Sequence, residues 1–123
     1  MSTSTQTTAL EVALGFFDAW THKDLERSMS FIADDIVVDS PNGRVEGAAA
    51  YREGLESWFG LFTRAEVIDA FGKEETAVVV YECATHPVAS VPAVEYFAIE
   101  DGKITYKRLV FDRGPFMQQS QAA

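Results

Sequence analysis

The chain has 123 residues, 47% of them hydrophobic and 24% charged, the length of one domain with apolar material for a core, and too apolar for a disordered chain. The formal net charge of −9 repels phosphate backbones and anionic bilayers, which argues against nucleic acid and membrane surfaces as partners. A single cysteine, Cys83, excludes an intrachain disulfide. It lies in an apolar run and reads as a buried thiol and not as a nucleophile.

Met1 to Thr8 is polar and rich in Ser and Thr. It lacks the basic and apolar parts of a signal peptide and reads as a tail, as does 118–123. The domain is expected over 9–117. With one cysteine and no apolar run of membrane-spanning length, the expected setting is cytoplasmic.

From Ala9 to Trp20, Leu10, Ala13, Leu14, Phe17 and Trp20 recur at helical spacing, which predicts an amphipathic helix. After a break at Thr21 to Lys23, Asp24 can cap a second short helix, Leu25 to Phe31. The β-branched run at Ile36 to Ser40 predicts a strand, and Pro41-Asn42-Gly43 a turn. A third helix is expected over Ala48 to Phe62, with Tyr51, Leu55, Trp58, Phe59 and Phe62 as its apolar stripe.

The period then changes from helical to alternating. Strands are expected over Glu66 to Phe71, Thr76 to His86, Ala93 to Ile99 and Lys103 to Asp112, with turns at Lys73-Glu74-Glu75 and Glu100-Asp101-Gly102. Consecutive strands joined by tight turns imply an antiparallel sheet. Helices early and strands late imply an α+β domain, with three helices packed on that sheet.

Several segments have a familiar look in this order. Phe17-Asp18-Ala19-Trp20 with Lys23-Asp24-Leu25, Phe31 to Asp35, Gly47 to Glu53, Glu100 to Ile104 and Leu109 to Asp112 resemble signature segments of the cone-shaped nuclear-transport-factor-2-like superfamily. The match is best with its SnoaL-like polyketide-cyclase and ketosteroid-isomerase-like branches. The resemblance covers roughly 10–116. It implies a curved sheet wrapped around a helix to enclose a pocket, and it says little about the reaction.

Laid over the ketosteroid isomerases without gaps, Phe16 falls on the oxyanion-hole tyrosine and Ser40 on the general-base aspartate, with Asp39 just before it. Ile32 and Leu55 fall on supporting tyrosines. The second oxyanion donor has a carboxyl counterpart in Glu95. Gly54 falls where that family has a bulky pocket aromatic, which implies extra room or a close contact between backbones. A phenyl ring cannot donate to an enolate and a serine needs a partner base, so steroid isomerisation by that route is not expected. The epoxide-hydrolase members' Asp-Arg-Asp set has no counterpart either, since Leu109 takes the place of its final-strand aspartate.

Strand parity suggests which side chains face inward. A three-residue turn at 100–102 sets Glu95 opposite Lys107 and puts Glu95, Phe97, Thr105, Lys107, Leu109 and Phe111 on one face. A two-residue turn would set Glu95 opposite Arg108, and the sequence leaves both registers open. In the first, Glu95 and Lys107 form a carboxylate–ammonium pair in an apolar cone, a candidate general acid or base or a ligand anchor; a self-satisfied pair is the plainer alternative. Ser40 and Asp39 are further catalytic candidates at a strand end.

Most of the aromatics are core by their spacing. Phe16, Trp20, Val38 and Gly54 are expected to line the pocket, as are Trp58, Phe97, Leu109 and Phe111. Two histidines and one cysteine make a metal site unexpected, and no cofactor is expected. Asp112 reads as a turn residue. The other face of the sheet carries Tyr96, Ile104, Tyr106, Arg108 and Val110, a mixture suited to an interface, so a homodimer through that face is expected. The expected activity is binding of a small, largely apolar molecule, with cofactor-free acid–base chemistry as the catalytic form. A non-catalytic binding or dimerising module is the alternative.

Overall fold

The structure, a computed structural model, describes residues 8–86 and 88–116. The expected tails fall outside these residues, except for Thr8. Thr8 is no tail residue: it caps helix α1 (Ala9–Thr21), its hydroxyl accepting from the Glu11 N–H at 3.1 Å while the Glu11 side chain accepts from the Thr8 N–H at 2.9 Å. This reciprocal pair satisfies two of the orphan donors of the first turn. The buried stripe of α1 is Val12, Ala13, Phe16, Phe17, Ala19 and Trp20, whereas Leu14 is exposed. Asp24 caps α2 (Leu25–Ser30) as expected, accepting from the Arg27 N–H.

The sheet has six strands: β1 (Ile32–Ser40), β2 (Gly43–Glu46), β3 (Phe62–Lys73), β4 (Thr76–Thr85), β5 (Val91–Glu100) and β6 (Lys103–Phe111). Helix α3 (Ala48–Phe59) lies between β2 and β3. The spatial order is β2-β1-β6-β5-β4-β3. Neighbours pair antiparallel except β1 and β6, which run parallel. That parallel pair corrects the expectation of a purely antiparallel sheet. The connection from β1 to β6 carries β2, α3, β3, β4 and β5, so the long crossover a parallel pair requires is present.

β2 was not expected, and α3, β1 and β3 differ from expectation by three residues or more at one end, β1 beginning at Ile32 and β3 at Phe62. β2 is a short strand whose residues are all exposed, and an exposed four-residue segment carries no hydrophobic alternation to reveal it. α3 ends at Phe59, with Gly60 as its cap, and Phe62 begins β3 instead of closing the helix stripe. Among the described residues no helix is long and apolar enough to cross a membrane.

The hairpin between β5 and β6 corrects both registers. Asp101 and Gly102 form a two-residue turn, both with positive φ (52° and 76°), the geometry that matches strand twist. Glu100 pairs with Lys103 and Ile99 with Ile104, but the next pair is Ala98 with Tyr106, leaving Thr105 as an extra residue. This β-bulge changes the parity of β6. Ile104, expected on the outer face, is fully buried, and Thr105, expected inward, spends its hydroxyl on the Ala98 carbonyl. Beyond the bulge, Lys107 stands opposite Phe97 and Glu95 opposite Leu109, so Glu95 and Lys107 are diagonal neighbours on one face and not a directly opposed pair.

The core lies between the helices and the concave face. α1 packs on β3, β4, β5 and β6, and α3 packs on β1, β2 and α2. Trp20 is central to it, with ring centroids 4.9 Å from Phe17, 5.1 Å from Phe62 and 6.1 Å from Trp58.

Candidate functional site

Between α1, α3 and the sheet lies a cavity of about 610 Å³, within the usual range for small-molecule sites. Of the side chains expected to line it, Trp20, Val38, Gly54, Trp58, Leu109 and Phe111 do so. Phe16 and Phe97 do not: both are fully buried in the layer behind it, with ring centroids 6.2 Å apart. A Cβ added at Gly54 would meet nothing within 4 Å, so the glycine leaves room.

The polar centre of this cavity is built from three elements. β5 supplies Glu95, β6 supplies Lys107 by virtue of the bulge, and α3 supplies Tyr51; all three are buried and line the cavity. Lys107 Nζ donates to Glu95 Oε2 at 2.8 Å and to the Tyr51 hydroxyl at 2.7 Å. The ammonium also lies 5.1 Å from the Phe16 ring centroid and 4.9 Å from that of Tyr51, close enough for cation–π attraction. Phe16 therefore serves the site as a wall behind Lys107.

Burial by itself disfavours the ammonium, but the Glu95 charge and then Tyr51 outweigh it, and the Lys107 pKa is raised above its ordinary value. Burial pushes the Tyr51 hydroxyl up, against the opposing pull of Lys107, so it stays protonated at neutral pH. Its oxygen accepts from Lys107, which leaves the hydroxyl hydrogen for another acceptor. Glu95 Oε1 is buried and has no hydrogen-bond partner. An orphaned carboxylate oxygen is costly; here it stands beside a donor already fixed by a cation. Tyr81, another buried lining residue, has its hydroxyl pKa raised by burial and then by Glu95.

The remaining candidates fall elsewhere. Asp39 is not in the cavity. It lies on the convex face, where Arg44 grips it twice at 2.8 Å and Tyr106 donates to it at 2.8 Å. Parity explains this, since Val38 and Ser40 point into the cavity and Asp39 between them points out. Ser40 lines the cavity, but its hydroxyl accepts from the Asn42 N–H at 3.1 Å and serves the turn. Asp112 accepts from the Gly114 N–H, also a turn role. Burial pushes the Cys83 thiol up to about 11, which leaves it a poor nucleophile. Among the described residues no three His, Cys, Asp or Glu side chains converge on a point where a metal ion could sit.

Tyr51 is the site residue that sequence reasoning missed. The available signal was a tyrosine on a helical stripe otherwise filled by leucine and aromatic hydrocarbon, since a buried phenol needs a partner. Only the tertiary packing of α3 against the sheet identifies that partner as Lys107.

The sequence profile of the SnoaL-like domain family matches residues 13–107. Among solved structures, a protein from Kribbella flavida DSM 17836 is 39% identical, covering 95% of this chain and 97% of that one with a TM-score of 0.91. An NTF2-like protein from Cytophaga hutchinsonii is 20% identical over 91% of this chain and 96% of that one, with a TM-score of 0.81. An LEH-like epoxide hydrolase from M. tuberculosis is 18% identical over 93% and 90%, with a TM-score of 0.77. The last two likenesses are of fold alone. No curated protein matches the chain. With the profile spanning most of its length and the Kribbella structure matching nearly end to end, the chain belongs to the SnoaL-like domain family.

Proposed function

We propose that the chain binds a small, largely apolar carbonyl compound in the cone and moves a proton at the carbon beside the carbonyl, with no cofactor. Glu95 is the base, and the Tyr51 hydroxyl, polarised by Lys107, donates to the oxygen on which negative charge develops. The observation that carries this reading is the pairing of an unpartnered carboxylate oxygen, Glu95 Oε1, with a hydroxyl that is already bonded to the same ammonium. Base and donor are thus held within two hydrogen-bond lengths of one another by a single buried cation, in a site that is otherwise mostly apolar. Electrostatic stabilisation by fixed donors is strongest where water is excluded. The step balances simply: Glu95 takes the proton from carbon, the electron pair moves to oxygen as the enolate, and return of a proton to carbon completes an isomerisation or an exchange.

This differs from the ketosteroid-isomerase arrangement, whose tyrosine and aspartate positions hold Phe16 and Ser40. The donor and the base proposed here come from other elements.

The test is hydrogen–deuterium exchange of β-tetralone in D₂O, followed by proton NMR. The wild-type protein is expected to exchange the α protons with saturable kinetics, and Glu95→Gln to reduce the rate by about 10²- to 10⁴-fold. Trp20 and Trp58 line the cavity, so their fluorescence reports occupancy separately. Quenching without exchange would favour the second reading, a non-catalytic binding protein, which the predominantly apolar lining also suits. Neither quenching nor exchange would remove both.

A further inference from the structure

The cavity is lined by three charged side chains, and two of them, Glu95 and Lys107, neutralise each other. The third is Arg113, just beyond the end of β6. Its guanidinium makes a 3.4 Å hydrogen bond to the Pro41 carbonyl and, among the described residues, no ion pair. Asn42, from the turn between β1 and β2, lines the same part of the cavity, and its side-chain amide carries two further donors. A chain with a net charge of −9 thus places at the mouth of an apolar pocket a positive charge that no carboxylate among the described residues meets.

We infer that the ligand is an amphipathic carboxylate: an apolar body whose carbonyl end reaches Tyr51 and Glu95 and whose anionic end rests on Arg113 and Asn42. This rests on the reading of the inner triad given above and adds the class of molecule that fills it. Charge bookkeeping supports it. Arg27, Arg44, Arg52 and Arg108 meet Asp18, Asp39 or Glu26; Arg64 and Arg113 have no ion pair among the described residues, and of these two only Arg113 lines the cavity. With Glu95 and Lys107 offsetting each other, the lining has a net positive charge, and a low-dielectric cleft focuses that field and draws an anionic ligand against the overall repulsion of the molecule.

Strand geometry gives an upper bound on the span between the two ends of the site. Leu109 is the cross-strand partner of Glu95, and Arg113 lies four residues farther on, so the two backbone positions are at most about 13 Å apart. An arginine side chain reaching back shortens the gap. The span leaves room for a body of two fused six-membered rings with the carbonyl and the carboxylate at opposite ends.

The test uses a matched pair: β-tetralone, and β-tetralone bearing a carboxylate on the ring carbon farthest from the ketone. Both are titrated against wild-type protein and Arg113→Gln by tryptophan fluorescence, at low and high salt. The carboxylate is expected to bind wild type about fivefold to tenfold more tightly than the neutral ketone. Arg113→Gln should remove that preference by weakening the carboxylate about fivefold to tenfold more than it weakens neutral β-tetralone, and high salt should weaken only the anion. Equal binding of the two compounds, equal loss of both in Arg113→Gln, or binding of neither would overturn the inference. Its failure is distinct from failure of the acid–base reading. If neutral β-tetralone exchanges its α protons in a Glu95-dependent way while the carboxylate has no advantage, only the anionic end is wrong. If the carboxylate binds through Arg113 without exchange, only the proton transfer is wrong.

Discussion

Two carboxylates in this molecule meet cations in opposite settings, and the settings decide what each can do. Asp39 is on the convex face, where hydrogen bonds from Arg44 and then Tyr106 hold its pKa well below the usual carboxylate range. A carboxylate depressed in the folded state adds stability above its unfolded pKa of about 3.9, and loses it as pH falls toward the lower folded value. Asp39→Asn is therefore expected to lower the urea midpoint at pH 7 and to cost progressively less as pH drops below about 4, until the two proteins unfold together. Urea titrations at pH 7 and at about pH 2.5 check the sign; a gap that widens in acid would contradict it. Glu95 and Lys107 were legible in the sequence because charged residues on alternating apolar strands stand out. Asp39 was legible only as a charge at a strand end. Its neighbour Ser40 took the inward position, and a one-residue step along a strand exchanges cavity for surface. Tyr51 was not legible as a site residue, because its partner comes from a strand far away in the chain.

Among the elements, α1 and β3 meet at an unusually close approach. A Cβ placed on Gly72 would lie 2.7 Å from the Leu10 Cβ and 3.2 Å and 3.3 Å from the Leu10 backbone N and Cα. Two of those three atoms are backbone, so the first turn of the helix would have to move. Alanine normally gains about 0.4–1 kcal/mol over glycine through the unfolded state. Overpacking costs about 1–3 kcal/mol, so it should win, and Gly72→Ala is expected to lower stability by about 1–2 kcal/mol in urea unfolding. The elements themselves were readable where a face is buried: α1, α2, α3 and the long strands follow from periodicity and caps. β2 was invisible because every residue in it is exposed, and the parallel pairing of β1 with β6 is a long-range choice that no local pattern encodes. The bulge at Thr105 is the same kind of omission on a smaller scale. Turn chemistry at Asp101-Gly102 was readable, but one further residue in the strand was not.

At the scale of the whole molecule, the sheet has one face on the core and one outside. The outer face exposes Tyr96 and Val110 beside the network of Asp39, Arg44, Tyr106 and Arg108, with the Tyr96 and Tyr106 rings 6.3 Å apart. We propose that this face joins two copies of the chain, since aromatic and aliphatic side chains ringed by arginine suit an interface. Sedimentation velocity is expected to find a dimer that Val110→Glu converts to monomer with an unchanged circular dichroism spectrum; a wild-type monomer would refute it. The α+β cone was the most legible property of all, because the order of helices and strands and several short segments agree on it. Which residues chemistry would use was less so, since that depends on registers within the sheet.

The extra residue in β6 has a consequence for the history of such a scaffold. Were β6 to run on without the bulge, with Thr105 paired to Ala98, Lys107 would lie outward and its neighbours would take the inward places, yet the turn and the helices would be the same. Closing the bulge with its residue kept in the ladder would replace the set of groups that β6 shows to the pocket in a single step, whereas loss of the bulged residue would leave Lys107 opposite Phe97 and point substitutions change the set one member at a time. Relatives of equal length that share every signature segment of this chain can therefore differ in pocket chemistry through whether this hairpin bulges between the turn and Lys107.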